Sequence, residues 1–248
     1  MSINCVGIVG TNRDFPEEVM IDSEPVQVVC GPITTVQDTA PDFIVAFGET
    51  TASELAYTLP DSPVIPVGAI RGLQSIAEDV FNEEWIRILT SLWSEPVLSV
   101  QYPVLQLECD AGTMRCLYDF QLVGNEPALI SEFTVYDGET IVDTIRADGI
   151  VGATAAGSCE YNLSAGGPII SPGLAVLSVL PIAPFTTDPD HWILPVSDVS
   201  ISIDREDPPI ELLVDGVRQE TLSQCDTIQL THVGTIDTVL LPDSTSIY

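Results

Sequence analysis

The first hundred residues alternate short apolar runs with amphipathic segments. Segments Thr51–Tyr57 and Ile76–Trp93 carry apolar residues near helical spacing, which predicts helices. The apolar runs predict four buried strands, at Asn4–Val9, Val26–Cys30, Phe43–Phe47 and Pro63–Val67. Strands that alternate with helices are typical of a parallel, doubly wound sheet. We therefore predict an α/β nucleotide-binding domain over residues 1–97.

From about Val97 onward the pattern changes to successive strands with turns between them. Asp137-Gly138 and Asp215-Gly216 predict tight hairpins, because Asp-Gly accepts the positive φ of primed turns. The predicted strands are Leu98–Leu107, Arg115–Val123, Ile130–Tyr136, Ile141–Ile145, Val199–Ile203, Ile210–Val214, Thr227–Leu230 and Thr238–Leu241. Residues 98–248 are thus predicted to form an all-β sandwich domain.

The composition is that of a folded and strongly acidic protein. The chain has 248 residues, 37 acidic and 7 basic side chains, a formal net charge of −30 and a hydrophobic fraction of 45%. All the basic residues are arginine. So few cations cannot form a duplex nucleic-acid footprint or a polybasic membrane surface. The first residues lack the basic segment of a signal peptide, and Pro172–Phe185 is too short to span a bilayer, so we expect a cytoplasmic protein.

The carboxylates are spread along the whole chain and are not concentrated in a tail. Such a surface repels itself in dilute buffer, and ~1 M salt, where the Debye length is about 3 Å, screens the repulsion. The pattern is typical of halophilic proteins; the alternative is a nucleic-acid mimic with its charge on one face. The six cysteines form no Cys-x-x-Cys pair and the two histidines are far apart, so no metal site is predicted.

The segment from Ala147 to Ile169 is rich in small residues and contains glycines at five positions. We interpret it as a loop whose backbone N–H groups can face an anion or a purine edge. Ordinary turns have the same composition, so on this evidence alone a ligand-binding loop and a structural loop both remain open.

The order of motifs in and around this loop resembles the NAD kinase family. Thr154-Ala155-Ala156-Gly157-Ser158-Cys159-Glu160-Tyr161, then Ser164-Ala165-Gly166-Gly167, is similar to the family's Thr-Pro-Thr-Gly-Ser-Thr-Ala-Tyr and Ser-x-Gly-Gly segments. Asn125-Glu126, Leu180–Pro184 and Asp215-Gly216 also match in order. The resemblance is close from Asn125 to Leu241 and loose before that. It implies a two-domain NAD kinase-like fold with the site between the domains. It also implies phosphorylation of the adenosine-ribose 2′-hydroxyl of NAD by ATP or polyphosphate.

The resemblance carries NAD-binding roles over to seven residues. Asn125 and Glu126 are expected at the adenosine, Asp148 at the nicotinamide portion, and Tyr161 stacked on or bonded to the dinucleotide. The whole set is Asn125, Glu126, Asp148, Gly157, Ser158, Tyr161 and Ser164. The structural alternatives are a turn before Pro127 for the Asn-Glu pair, a plain Asp-Gly turn for Asp148, and core packing for Tyr161.

The catalytic loop of the family has a modified counterpart here. Where the family has Gly-Gly-Asp-Gly-Thr, this chain has Phe47-Gly48-Glu49-Thr50-Thr51. The resemblance implies that Glu49 is the general base, and that Gly48, Thr50 and Thr51 contact phosphate. Two cations are candidates for further phosphate contacts, Arg146 and Arg71. Arg146 lies two residues before Asp148, so an extended backbone places both on one face.

Three functions compete at this point. The leading one is an NAD kinase that uses Mg²⁺ with its phosphate donor, without a dedicated protein metal site, and forms a homo-oligomer, a dimer or tetramer. The second is a catalytically degenerate relative that binds a dinucleotide in a regulatory role; restoring Glu49→Asp with Thr50→Gly would then raise activity. The third, an acidic surface mimic, predicts no nucleotide binding.

Overall fold

The chain folds into two compact units that are divided differently from the predicted boundary at residue 97. The computed structural model describes residues 3–68, 72–73, 75–94, 97–110, 112–126, 129–187, 189–204, 209–223 and 226–240. Unit 1 comprises Met1–Gln101 and Thr235–Tyr248, and unit 2 comprises Tyr102–Gly234. The sequence prediction did not include this return of the chain to unit 1. Within the described residues, no helix is both long and apolar enough to cross a membrane.

Unit 1 is built on a mainly parallel sheet. Its strands are β1 (Cys5–Val9), β2 (Glu18–Ile21), β3 (Glu24–Cys30), β4 (Phe43–Phe47) and β5 (Val64–Val67), and its helices are α1 (Ile33–Gln37), α2 (Glu49–Thr58) and α3 (Glu78–Ser94). The strand order is β2-β3-β1-β4-β5, and only β2 pairs antiparallel. The predicted doubly wound α/β fold is confirmed. The β2–β3 hairpin and the short helix α1 escaped prediction.

The order of the strands creates a switch point between β1 and β4. The chain first adds β3 on one side of β1 and then crosses to place β4 on the other side. All five residues of β4 are buried, as expected for a strand covered on both faces. In open α/β sheets, ligands bind outside the carboxyl ends of the strands at such a switch point.

Unit 2 consists mainly of antiparallel strands around a second apolar core. It contains β7 (Gly112–Cys116), β8 (Asp119–Gly124), β9 (Ser131–Asp137), β10 (Thr140–Ala153), β11 (Val176–Pro184), β12 (Trp192–Pro195), β13 (Val199–Ile203), β14 (Ile210–Val214) and β15 (Val217–Leu222). Strands β6 (Leu98–Cys109) and β16 (Thr227–Leu240) run through both units, and α4 (Tyr161–Ser164) is a short helix. The predicted all-β sandwich is confirmed.

Strand β10 changes partners along its length. Its first half pairs with β9 as far as Ala147, and its second half pairs with β11 from Ala147 and with β8 from Gly149. An ideal Cβ at Gly149 would lie 2.4 Å from the Leu122 carbonyl oxygen, and one at Gly152 would lie 2.2 Å from the Phe120 ring. The glycines therefore permit close packing where the strand passes between partners.

Four details of the β-rich prediction are wrong. Residues Ala147–Ala153 belong to β10, so the small-residue segment begins as a strand, and Asp148 is not in a turn. The strand predicted over Arg115–Val123 is two strands, because the N–H groups of Leu117 and Tyr118 bind the Asp215 carboxylate instead of a neighbouring strand. Residues predicted as two strands near 230 and 240 form the single strand β16. Prediction also missed β11, β12 and β15.

Candidate functional site

The switch point of unit 1 is lined by glycines in the left-handed region of backbone space. Gly10 follows β1 with φ 78°, Gly48 follows β4 with φ 81°, and Gly68 follows β5 with φ 93°. An ideal Cβ at Gly10 would lie 2.1 Å from Thr51 Oγ1 and 2.3 Å from the Phe47 carbonyl oxygen. Only glycine therefore lets the end of β1 approach the start of α2 this closely.

Helix α2 begins at this edge without a side-chain cap. Its N-cap is Gly48, which provides no side-chain cap, and the helix runs for ten residues. The first N–H groups of a helix have no partner within the helix and attract anions. The backbone at residues 49 and 50 is helical, and the side chains of Glu49 and Thr50 lie outside the described part of the structure. Thr51 is 6% exposed and packs beside Gly10.

Phe47, at a position where the sequence resemblance implies a glycine, packs into an aromatic cluster. Its ring centroid lies 5.4 Å from Phe81 in an edge-on arrangement and 6.3 Å from Phe15. Phe15 in turn lies 5.4 Å from Trp85 of α3. Because Phe47 is only 5% exposed, its bulk is accommodated by the core of unit 1.

Arg13 is a cation near this edge that sequence reasoning missed. It lies three residues after Gly10, and its guanidinium carbon is 5.2 Å from the centre of the Phe15 ring. Its Nη2 also donates to the Asn82 carbonyl oxygen of α3 at 3.5 Å. The sequence signal that could have indicated Arg13 was its position, because it follows the predicted first strand and Gly10 within three residues. Arg71, the sequence-based candidate, lies outside the described residues.

In unit 2, the segment after β10 is held together by hydroxyl groups. Thr154 Oγ1 donates to the Leu117 carbonyl oxygen at 2.5 Å and accepts from the N–H groups of Ala156 (3.2 Å) and Gly157 (3.4 Å). Ser158 Oγ donates to the Ala155 carbonyl oxygen at 2.8 Å and accepts from the Ile170 N–H at 2.9 Å. We name residues 154–170 the dinucleotide loop, after the contact that the sequence predicts for them. The hydroxyl of Ser158 thus serves contacts within that loop.

A buried asparagine closes the same loop. Asn162 Nδ2 donates to the carbonyl oxygens of Ser158 and Pro168, each at 2.9 Å. Gly167 packs directly on this amide, since an ideal Cβ there would lie 2.5 Å from Asn162 Oδ1. The Gly-Gly segment therefore has a packing reason that the sequence alone did not reveal.

Two predicted contact residues project from the loop. Tyr161, at the start of α4, is 41% exposed, which excludes the alternative of core packing. Ser164 is also exposed, and its hydroxyl donates to the Glu160 carbonyl oxygen at 3.4 Å. Both side chains are accessible to a ligand.

Asn125 and Glu126 follow the end of β8 and are distant in sequence from the dinucleotide loop. Both are exposed, and the Asn125 N–H donates to the Pro209 carbonyl oxygen at 3.0 Å. Their roles at the adenosine remain predictions.

Arg146 and Asp148 share one face of β10, as their spacing indicates, because the intervening Ala147 is buried. Arg146 is about half exposed, and its Nε lies 3.2 Å from Glu132 Oε2. It also lines a cavity of about 280 Å³ together with Pro181 and Pro184 of β11. The positively charged side chain of Arg146 therefore lies beside a cavity.

The Asp215 carboxylate accepts hydrogen bonds from the backbone of the segment between β7 and β8. Asp215 Oδ2 accepts from the Leu117 N–H at 3.0 Å, and Oδ1 accepts from the Tyr118 N–H at 2.8 Å. Burial raises the pKa of the Asp215 carboxyl above its ordinary value, although these hydrogen bonds oppose the shift. Burial, aided by Asp215 and Asp119, raises the pKa of the Cys116 thiol well above its ordinary value.

Comparison with known proteins shows that part of unit 2 is similar to a domain of NAD kinases. Residues 119–235 match the family model described as ATP-NAD kinase C-terminal domain. The NAD kinase of Methanosarcina barkeri is 39% identical over 114 residues, which are 45% of this chain and 41% of the relative. The NAD kinase of Methanocorpusculum labreanum is 26% identical over 219 residues, which are 87% of this chain and 80% of the relative.

Solved structures extend the likeness to the whole fold. The crystal structure of yeast NADH kinase complexed with NADH has a TM-score of 0.74 at 19% identity, over 96% of this chain and 84% of that chain. An NAD kinase from Archaeoglobus fulgidus in complex with ATP has a TM-score of 0.68 at 18% identity, over 98% and 95%. These matches show a shared two-domain fold. The match to M. barkeri NAD kinase spans about two fifths of that relative's length.

Proposed function

We propose that the chain is an NAD kinase, which phosphorylates NAD to NADP. Residues 119–235 match the C-terminal domain of that family. The observation that carries the proposal is the extent of the family match. It includes every residue predicted to bind the dinucleotide, and also Arg146. The relatives named NAD kinase and the NADH kinase fold support the same activity.

In this proposal, the phosphate donor and the acceptor bind to different elements. The phosphates of ATP, or of polyphosphate, bind at the N-terminus of α2, where the uncapped first turn offers N–H donors. The acceptor, the adenosine of NAD, binds through Asn125, Glu126 and the dinucleotide loop. Exposed Tyr161 and Ser164 are accessible for that contact.

The chemical step is an in-line phosphoryl transfer. The Glu49 carboxylate accepts the proton of the ribose 2′-hydroxyl while the hydroxyl oxygen forms a bond to the γ-phosphorus. The bond from that phosphorus to the β–γ bridging oxygen breaks, and ADP leaves with the electron pair. Mg²⁺ would enter with the donor's phosphates, as is usual for this cation, and would neutralise their charge. The uncapped α2 N-terminus fits the phosphates of such a complex.

Three further features belong to the proposal. We expect a cytoplasmic homo-oligomer, dimer or tetramer, and exposed Ile141 and Ile193 offer apolar surface for subunit contacts. We also expect the net charge of −30 to be an adaptation to high salt. Light scattering in ~2 M KCl measures the subunit number, and a monomer would contradict the oligomer.

The first experiment is a coupled assay for NADP formation from NAD, ATP and Mg²⁺ in ~2 M KCl, with NAD binding measured by calorimetry. We expect product from the wild type, and a Glu49→Gln variant that binds NAD without forming product. Parallel reactions with polyphosphate and with NADH test the other donor and acceptor. Wild-type binding without product would indicate the degenerate regulatory relative, and absence of both would reject the proposal.

A further inference from the structure

The turn between β14 and β15 lies beside the segment between β7 and β8, because β14 pairs with β8. Asp215, with φ 48°, begins this turn, and its own N–H donates to the Asp119 carbonyl oxygen at 2.8 Å. Its carboxylate accepts the N–H groups of Leu117 and Tyr118 described above. Both groups are nearly a hundred residues distant in the chain. Asp215 therefore fixes the orientation of two consecutive peptide groups.

The carbonyl groups of the same two residues hold the start of the dinucleotide loop. The Leu117 carbonyl oxygen accepts from Thr154 Oγ1 at 2.5 Å, and the Tyr118 carbonyl oxygen accepts from the Thr154 N–H at 2.9 Å. Thr154 Oγ1 in turn accepts from Ala156 and Gly157. A continuous series of hydrogen bonds thus connects the Asp215 carboxylate to the Gly-Ser motif.

The series is polarised in one direction. A carboxylate that accepts the N–H of a peptide group makes the carbonyl oxygen of the same peptide group a better acceptor. Successive hydrogen bonds in such a chain therefore strengthen one another. Asp215 therefore orients the Leu117–Tyr118 segment and also strengthens the hydrogen bond from Thr154 Oγ1 to the Leu117 carbonyl oxygen. No ligand atom is required for this effect.

We propose that Asp215 is a positioning residue for dinucleotide binding, which acts through Leu117, Tyr118 and Thr154 on the dinucleotide loop. The inference rests on the proposed function, because it concerns the affinity of that loop for NAD. It adds a role to a turn that the family resemblance only matched in sequence. Loss of the carboxylate weakens NAD binding without removing any group that touches NAD.

The test compares two carboxylates that each accept the N–H groups of two consecutive residues. Asp42 Oδ2 accepts from the N–H groups of Asn4 (2.6 Å) and Cys5 (3.0 Å) in unit 1, so Asp42→Asn is a matched control. Asn tolerates the left-handed backbone at position 215, so Asp215→Asn keeps the turn. We expect Asp215→Asn to raise KM for NAD about tenfold, with kcat and KM for ATP within about threefold of wild type. Asp42→Asn should leave all three within about twofold.

Two further variants examine the route. Thr154→Val removes the hydroxyl while keeping the shape of the side chain. We expect the double variant Asp215→Asn, Thr154→Val to have nearly the same KM for NAD as Thr154→Val alone. Independent sites would instead give additive losses. An unchanged KM for NAD in Asp215→Asn, or strictly additive losses, would overturn the inference.

A second readout does not depend on catalysis. Hydrogen exchange of the amides of residues 154–157 should accelerate at least about tenfold in Asp215→Asn and remain unchanged in Asp42→Asn. If the wild type forms no NADP, the proposed function fails while the exchange result still reports on the loop. Unchanged exchange would refute the positioning role, whether or not the wild type is active.

Discussion

Gly157 lies against the backbone of Tyr118 with no space for a side chain. An ideal Cβ at position 157 would lie 2.1 Å from the Tyr118 carbonyl oxygen and 2.4 Å from its carbonyl carbon. The same carbonyl oxygen accepts the Thr154 N–H. The glycine of the Gly-Ser motif is therefore required by the contact of two backbones, whatever ligand the loop binds.

Replacing Gly157 by alanine should displace the dinucleotide loop. The clash is with backbone atoms, which cannot move as a flexible side chain would, so we expect a loss of about 1–3 kcal/mol in the free energy of unfolding. We also expect weaker NAD binding. Denaturant unfolding and calorimetry measure these effects. Ser171→Ala, at an exposed position nearby, should change neither quantity, and wild-type stability in Gly157→Ala would contradict the steric argument.

Arg13 should contribute to binding of the phosphate donor. It follows the end of β1 at the switch point and is held over the Phe15 ring. A hydrogen bond to a charged group contributes about 1.5–3 kcal/mol, so Arg13→Ala should raise KM for ATP about tenfold or more.

Arg87 provides the comparison for Arg13. It is an exposed arginine of the same unit, paired with Glu84 on α3. Arg87→Ala should leave KM for ATP within about twofold. Equal effects of the two variants would mean that general charge, and not the position of Arg13, determines donor binding.

Arg146 should contribute to NAD binding more than a similar ion pair elsewhere in unit 2. Arg218 Nη2 lies 2.7 Å from Glu211, and both arginines are more than half exposed. Only Arg146 lines the cavity beside β11. Arg146→Ala should therefore raise KM for NAD several-fold, while Arg218→Ala should not. Steady-state kinetics in ~2 M KCl measure both, and equal KM values would remove Arg146 from the phosphate-binding set.

Asp215 should make stability depend on pH. Burial raises the pKa of its carboxyl above the ordinary value of 3.8, so the folded protein holds this proton more tightly than the unfolded chain does. Its contribution is fully present below the unfolded value and declines as the pH rises through the folded value. The free energy of unfolding of the wild type minus that of Asp215→Asn should therefore fall as the pH rises above the ordinary value of 3.8. A difference that rises with pH would contradict the direction of the shift.

Salt should stabilise the folded protein strongly. With a net charge of −30, repulsion is long-ranged at 0.1 M KCl, where the Debye length is about 10 Å, and is short-ranged at ~1 M, where it is about 3 Å. We expect Tm to increase by about ten degrees or more over this range. A zwitterionic solute at equal osmolality does not screen charge and should give a smaller rise. Equal rises would assign the effect to solute exclusion.

The fold of unit 1 and the loop motif of unit 2 were largely predictable from local pattern. Buried parallel strands are short apolar runs, and β1, β4 and β5 lie close to their predicted positions. Strand β10 was not predictable over its full length, because its glycine-rich half is a strand only through pairing with β8 and β11. Small residues carry no periodic signal, so this half was interpreted as loop.

The sequence by itself determined the alternating order of unit 1, the β-rich character of unit 2 and the motifs that resemble NAD kinases. Tertiary structure alone decided that Gly157 meets Tyr118, that Phe47 packs on Phe15 and Phe81, and that Asp215 holds the Leu117–Tyr118 peptide groups. The physical reason is range. Periodicity and turn preference report on neighbouring residues, whereas a hydrogen bond between residues 98 positions apart depends on which strands pair, here β8 with β14.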